Sequence, residues 1–154
     1  MQLHRHLSRG FTLIELVATI VIMGILLAVV APNFSDTSVF SERGYTDELA
    51  SALRYGQRVA TATQCPVRVT VNAANYDAFQ QAGCTSAGAW NVAVRRADRS
   101  TLAGSPSNGV VLAPAATTLI FNADGSVSAA AAFTIGANFA VSVDGVNGAV
   151  TVQP

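Results

Sequence analysis

Hydrophobic positions divide this chain into three stretches. From Phe11 to Ala31 apolar residues run almost unbroken, 21 residues with one charge, Glu15. As a helix rising 1.5 Å per residue, that run spans about 31 Å, the thickness of a bilayer's hydrocarbon core. It predicts a membrane-spanning helix over 11–32. Pro32 has no backbone N–H, so a kink or local melting of the helix is expected there. Asn33 to Ser38 is polar and expected to fray. Helical periodicity then returns: Leu49, Leu53, Gly56 and Val59 or Ala60 recur every three to four residues. They form one apolar face, with Asp47, Glu48, Arg54, Gln57 and Arg58 largely on the other side. This helix is expected to end near Thr63.

From Cys65 onward the period falls to two. Pro66 to Val71 alternates Val with polar residues, which predicts a half-buried strand. Asn72 to Asn75 is a turn candidate, and Tyr76 to Gln81 returns as a second strand. Trp90 to Arg96 reads as a strand and Ala103 to Asn108 as a loop rich in Gly, Ser and Pro. Short strands are expected at Val110 to Leu112 and Thr117 to Asn122, with a turn at Asp124-Gly125. Val127 to Ile135 reads as one strand, although Ala129 to Ala132 has helical propensity. Phe139 to Val143 and Ala149 to Val152 flank a final hairpin turn at Asp144 to Gly148. The fold class expected is α+β, a long N-terminal helix packed on a mostly antiparallel sheet. Three segments are expected: a leader at 1–10, the helix at 11–32 and a globular domain at 33–154.

Charge fixes the orientation of the first helix. Arg5 and Arg9 precede it with no acid, which holds the N-terminus in the cytoplasm and puts the globular domain outside. Glu15 is the anomaly. A carboxylate at mid-bilayer costs about 2.5–3.5 kcal/mol, less near the end of a span. Either it snorkels or stays protonated, or it awaits a positive partner from another chain. The same stretch could also be a secretory signal cut after Ala31, or a permanent anchor. The signal reading is weakened by the length of the apolar run, by Glu15, and by Pro32 at the new N-terminus.

Two cysteines, Cys65 and Cys84, lie in the part expected to be exported, where pairs become joined. Their midpoint falls inside the Asn72–Asn75 turn, so a symmetric hairpin brings both to its open end. A disulfide is expected, with two buried free thiols as the alternative.

Catalytic chemistry has little to work with. The chain has no Lys, and both His, His4 and His6, lie in the first ten residues. Without them there is no Ser–His–Asp, Cys–His or Ser–Lys arrangement and no His-based metal site. Asp36, Asp47, Glu48, Asp77, Asp98, Asp124 and Asp144 are scattered, mostly beside turns or on solvent faces. No phosphate-binding glycine motif is present, and Trp90 is assigned to the core. No enzyme, cofactor or metal is expected. Arg95, Arg96 and Arg99 are the one candidate nucleic-acid patch. From Ser100 to Pro154 there is no Lys or Arg, and phosphate contacts need cations. Nucleic acid is therefore disfavoured as a partner.

The stretch Arg9-Gly10-Phe11-Thr12-Leu13-Ile14-Glu15 resembles the processing site of type IV prepilins and pseudopilins. The resemblance implies that a prepilin peptidase/methyltransferase cuts between Gly10 and Phe11 and N-methylates Phe11. Seven Arg would then face nine acids. Glu15 becomes the fifth mature residue, the family's acidic position, paired in a filament with the freed amine of a neighbouring Phe11. A proline at the position of Pro32 is common in the family, and its helix melts there on assembly. Ala52 to Ala60, leading into Pro66-Val67-Arg68-Val69, and Leu119 to Ser126 are similar to GspH/FimT-type minor subunits. The function implied is a structural subunit of a type II secretion pseudopilus or type IV pilus. Its partners would be other pilin subunits and an inner-membrane assembly platform. Its location would be the bacterial inner membrane, with a periplasmic domain, and then the filament. The alternative is a DNA-binding minor pilin for natural transformation.

Overall fold

The computed structural model describes residues 11–30, 37–85, 88–106 and 109–154. Its described residues form two units, one ending at Thr37 and one covering Ser38–Pro154. The first contains helix α1, Leu13–Val30. Its 18 residues amount to about 27 Å of helix. Among the described residues no helix is long and apolar enough to cross a membrane. The expected span runs on through Ala31 and Pro32, which lie outside those residues, as does Gly10.

Helix α2 spans Thr37–Thr63 and, from Ser38 on, belongs to the second unit. One face is apolar as the spacing predicts: Leu49, Leu53 and Ala60 are fully buried, with Tyr45, Ala50 and Ala52 beside them. Gly56 faces the sheet, over Val67, Val69 and Phe121. A Cβ there would lie 3.2 Å from Val69 Cγ2 and 3.6 Å from Val67 Cγ1. Glycine is therefore the residue that lets α2 lie down on the strands, despite its cost of about 1 kcal/mol in a helix.

Among the described residues nine strands follow: β1 Val67–Asn72, β2 Tyr76–Gln81, β3 Trp90–Ala93, β4 Ala103–Gly104, β5 Leu112–Ala113, β6 Ala116–Phe121, β7 Ala131–Ile135, β8 Phe139–Val143 and β9 Val150–Gln153. They make two sheets rather than the single one expected. One has the order β3-β2-β1-β6, with β4 also on β2; the other runs β5-β7-β8-β9. All the strand pairings are antiparallel. Val67, Val69 and Val71 from the first sheet and Phe133, Ile135 and Val141 from the second join the α2 face in one core.

Three local expectations need correction. The supposed loop at 103–108 begins with β4, which pairs Tyr76 with Gly104 and Asp77 with Ala103. The stretch 127–135 is not one strand. Val127 bridges to Phe121, and the ladder restarts at Ala131 against β8 instead. Its two ends thus serve different sheets. Trp90 is half-buried rather than in the core, with the Arg68 guanidinium carbon 5.3 Å from its ring centroid.

Cys65 and Cys84 are joined, with Cα atoms 4.8 Å apart. The hairpin alone does not bring them together. Asn72 N–H donates to the Asn75 carbonyl and Val71 pairs with Tyr76, so the turn centres between Ala73 and Ala74, one residue earlier than the cysteine midpoint. The register Val67–Gln80, continued outward, sets Cys65 opposite Ala82. A single 3-10 turn, Ala82–Cys84, closes the gap. Gly83 has φ +66° and Cys84 φ +53°. Glycine bears the first of these at no steric cost.

Candidate functional site

Helix α1 starts at a cap. Thr12 Oγ1 accepts from the Glu15 N–H at 3.3 Å, and the Thr12 carbonyl accepts from the Glu15 and Leu16 N–H groups at 3.1 and 3.2 Å. Thr12-x-x-Glu15 ahead of an apolar run is a helix-start signal that the sequence reading passed over. It fixes Glu15 in the first helical turn, four residues after Phe11.

The rest of α1 is apolar on every side. Exposure of its described large apolar side chains ranges from 42% at Val17 to 81% at Leu13, and Phe11 just before it is 76% exposed. A helix apolar all round is made for lipid or for other helices. The hydroxyl of Thr19 is turned inward, donating to the Leu16 carbonyl at 2.8 Å. The backbone thus absorbs the one hydroxyl within the helix, as an apolar surrounding requires. Among the described residues no side chain or backbone group partners the Glu15 carboxylate. Gly10 and Pro32 lie outside the described residues.

Elsewhere the polar side chains serve the fold. Tyr76 donates to Glu48 Oε1 at 2.7 Å and accepts from Arg96 Nη2 at 3.1 Å. Burial, then the bond to Glu48, pushes its phenol well above the ordinary range. Arg96 also donates to the Thr101 and Ala103 carbonyls, and Arg95 to the Arg99 carbonyl. Two of the three arginines considered as a nucleic-acid patch thus tie down their own loop. Asp98, Asp124 and Asp144 each accept hydrogen bonds within their own turns. No group of metal-ligating side chains occurs among the described residues. Gln57, which the sequence places on the solvent side of α2, is half-buried and donates to both Gly125 O and Asn147 O.

Two family models match this chain. Residues 5–31 match the prokaryotic N-terminal methylation motif, which covers the cap, Phe11 and Glu15. Residues 45–153 match type II transport protein GspH. The chain belongs to the GspH family. It is 43% identical over 54 residues to the type IV narrow pilus major component PilA5 of Thermus thermophilus, and spans about half of that relative's length (47%). The fold is similar to that of the minor pseudopilin EpsH from the type 2 secretion system of Vibrio cholerae. The TM-score is 0.57 at 12% identity, covering 73% of this chain and 95% of that one. It is also similar to the type IV minor pilin FimU of Pseudomonas aeruginosa, with TM-score 0.57 at 14% identity, covering 77% and 92%. The fold is therefore pilin-like α+β, with antiparallel sheets behind an N-terminal helix. The chain's family, GspH, is a structural, non-enzymatic family of type II transport proteins. The chain's methylation motif implies processing by a prepilin peptidase and anchoring in the inner membrane before assembly.

Proposed function

We propose that the chain enters the inner membrane through residues 11–32, with its N-terminus in the cytoplasm and the globular domain in the periplasm. The prepilin peptidase/methyltransferase cuts after Gly10 and methylates Phe11. The processed chain then joins a pseudopilus or pilus through its helix, delivered by an inner-membrane assembly platform. Pro32 supplies the point at which the stem bends or melts on assembly.

The observation that carries this reading is Glu15, held in the first turn of a helix that is otherwise apolar. Cleavage creates an ammonium four residues upstream. In a bundle of such helices the Glu15 carboxylate of one subunit pairs with the Phe11 ammonium of its neighbour. A buried charge left without its partner costs about 3–5 kcal/mol. That penalty makes docking depend on axial register and on prior cleavage. The test is the mass of the mature N-terminus in material purified from membranes. A chain beginning at methylated Phe11 is expected, and one beginning at Pro32 or at Met1 overturns the proposal.

A further inference from the structure

The outer face of the β3-β2-β1-β6 sheet carries an arginine that has no acidic partner among the described residues. Along β1, Val67, Val69 and Val71 are buried, so Arg68 and Thr70 point away from α2. Arg68 stands opposite Phe79 on β2 and Ile120 on β6, all three half-buried and on the same face. Its guanidinium carbon lies 5.3 Å from the Trp90 ring centroid. Its Nε is buried and has no hydrogen-bond partner. No described residue makes a hydrogen bond or ion pair with this guanidinium. Arg96 and Arg54, by contrast, are tied to carbonyl oxygens.

A stacked guanidinium keeps its ring-facing side occupied and its edge free. The edge presents parallel N–H donors matched to a planar two-oxygen acceptor. Nε is covered, so an incoming carboxylate engages the Nη1/Nη2 end, which is not buried and which no described residue satisfies. Around the edge the surface is aromatic and aliphatic, from Trp90, Phe79 and Ile120, the residue types that anchor protein–protein contacts. Asp77 lies on the same face, opposite Thr70. One cation with an acid nearby is poorly suited to a polyphosphate backbone, which needs several cations in a row. It suits a single carboxylate flanked by apolar side chains.

We propose that Arg68 and Trp90, with Phe79 and Ile120 as floor, form a docking site for an acidic peptide segment of a partner protein, one Glu or Asp side chain engaging the Arg68 edge. The site is on the globular domain and does not depend on the Glu15 pairing.

Trp90 is the chain's single tryptophan, so its emission reports on the site directly. The full chain in detergent is titrated with acetyl-Ala-Leu-Glu-Leu-Ala-amide, with its Gln counterpart, and with inorganic phosphate. A saturable change in Trp90 emission is expected with the Glu peptide. The Gln peptide and phosphate should each need at least about tenfold higher concentration, about 1.4 kcal/mol. Arg68→Gln should abolish the response, and Arg68→Lys, which keeps charge but not the fork, should weaken it severalfold. No saturable change, equal response to the two peptides, phosphate binding as tight as the Glu peptide, or an unaltered titration in folded Arg68→Gln each overturn the proposal. Should Arg68→Gln not fold, the Glu/Gln comparison on the unaltered chain decides it.

Discussion

Gln57 donates its side-chain amide to the carbonyl oxygen of Gly125 at 2.8 Å, and the same nitrogen reaches Asn147 O at 2.8 Å. One side chain on α2 therefore holds the turn after β6 to the turn after β8, which belong to different sheets. Gly148, φ +66°, makes this closeness possible. A side chain there would run into Gly125 O and the Gln57 amide. Gln57→Ala removes both bonds. A neutral hydrogen bond contributes about 0.5–1.5 kcal/mol net, so a loss of about 1–3 kcal/mol is expected in urea unfolding. Amide exchange should quicken at 123–126 and 145–149 and stay unchanged in β1.

The Cys65–Cys84 bond closes a loop between residues 19 apart in sequence. In the chain-entropy account such a closure stabilises by about 3 kcal/mol. The double variant Cys65→Ser, Cys84→Ser should unfold at correspondingly lower urea. Non-reducing mass analysis of the unaltered 65–84 peptide should find two hydrogens missing. A variant as stable as the parent would show that the 3-10 turn holds without the bond.

Acid and alkali should each destabilise the domain, through different groups. Asp98 and Asp124 are held below the usual carboxylate range by the hydroxyl and then the N–H of Ser100 and Ser126 respectively. Asp144 is held down by the N–H groups of Asn147 and Val146. A carboxylate with a depressed folded pKa contributes stability above its unfolded value, 3.8 here, and that contribution is lost as pH falls through the folded value. At the other end, burial and then the Glu48 charge push the Tyr45 phenol up to about 12. The folded state there favours the neutral phenol. Its contribution is complete below the unfolded value of 10.0 and falls as pH rises towards 12. Thermal melts across pH should be flat at the centre, fall below pH 4 and fall again above pH 10. Asp124→Asn should reduce the acid slope, and Tyr45→Phe the alkaline one.

Glu15→Ala should leave cleavage after Gly10 intact and deplete the chain from sheared filaments by about tenfold or more, as expected for loss of a buried charge pair. Immunoblots of membrane and filament fractions measure it. Normal incorporation would remove the pairing from the mechanism.

The fold was legible where one period served one partner. Val67, Val69 and Val71 alternate against a single core, and Asn72–Asn75 marks its turn, so β1 and β2 stand close to their expected bounds. Partner choice was not legible. Nothing in the alternation of Val127 to Ile135 tells that Val127 joins Phe121 while Ala131 onward joins β8. Hence two sheets were read as one. β4 was hidden because two residues beside Gly, Ser and Pro carry no period. Gln57 and Glu48 were read as solvent-facing since long polar side chains on a helix usually are; their acceptors and donors lie 28 to 90 residues away. At the N-terminus the lone acid in an apolar run was plain, while its cap at Thr12 followed a short pattern easily overlooked beside it.

The covalent link sits where a mechanical load would arrive. α2 ends at Thr63, and Cys65 follows two residues later. Tension drawn along that helix passes across sulfur to Cys84 and skips the β1–β2 ribbon in between. The hairpin is thus a closed side-branch, which tugging on the stem cannot peel open one rung at a time. Only reduction would put those rungs in the line of force.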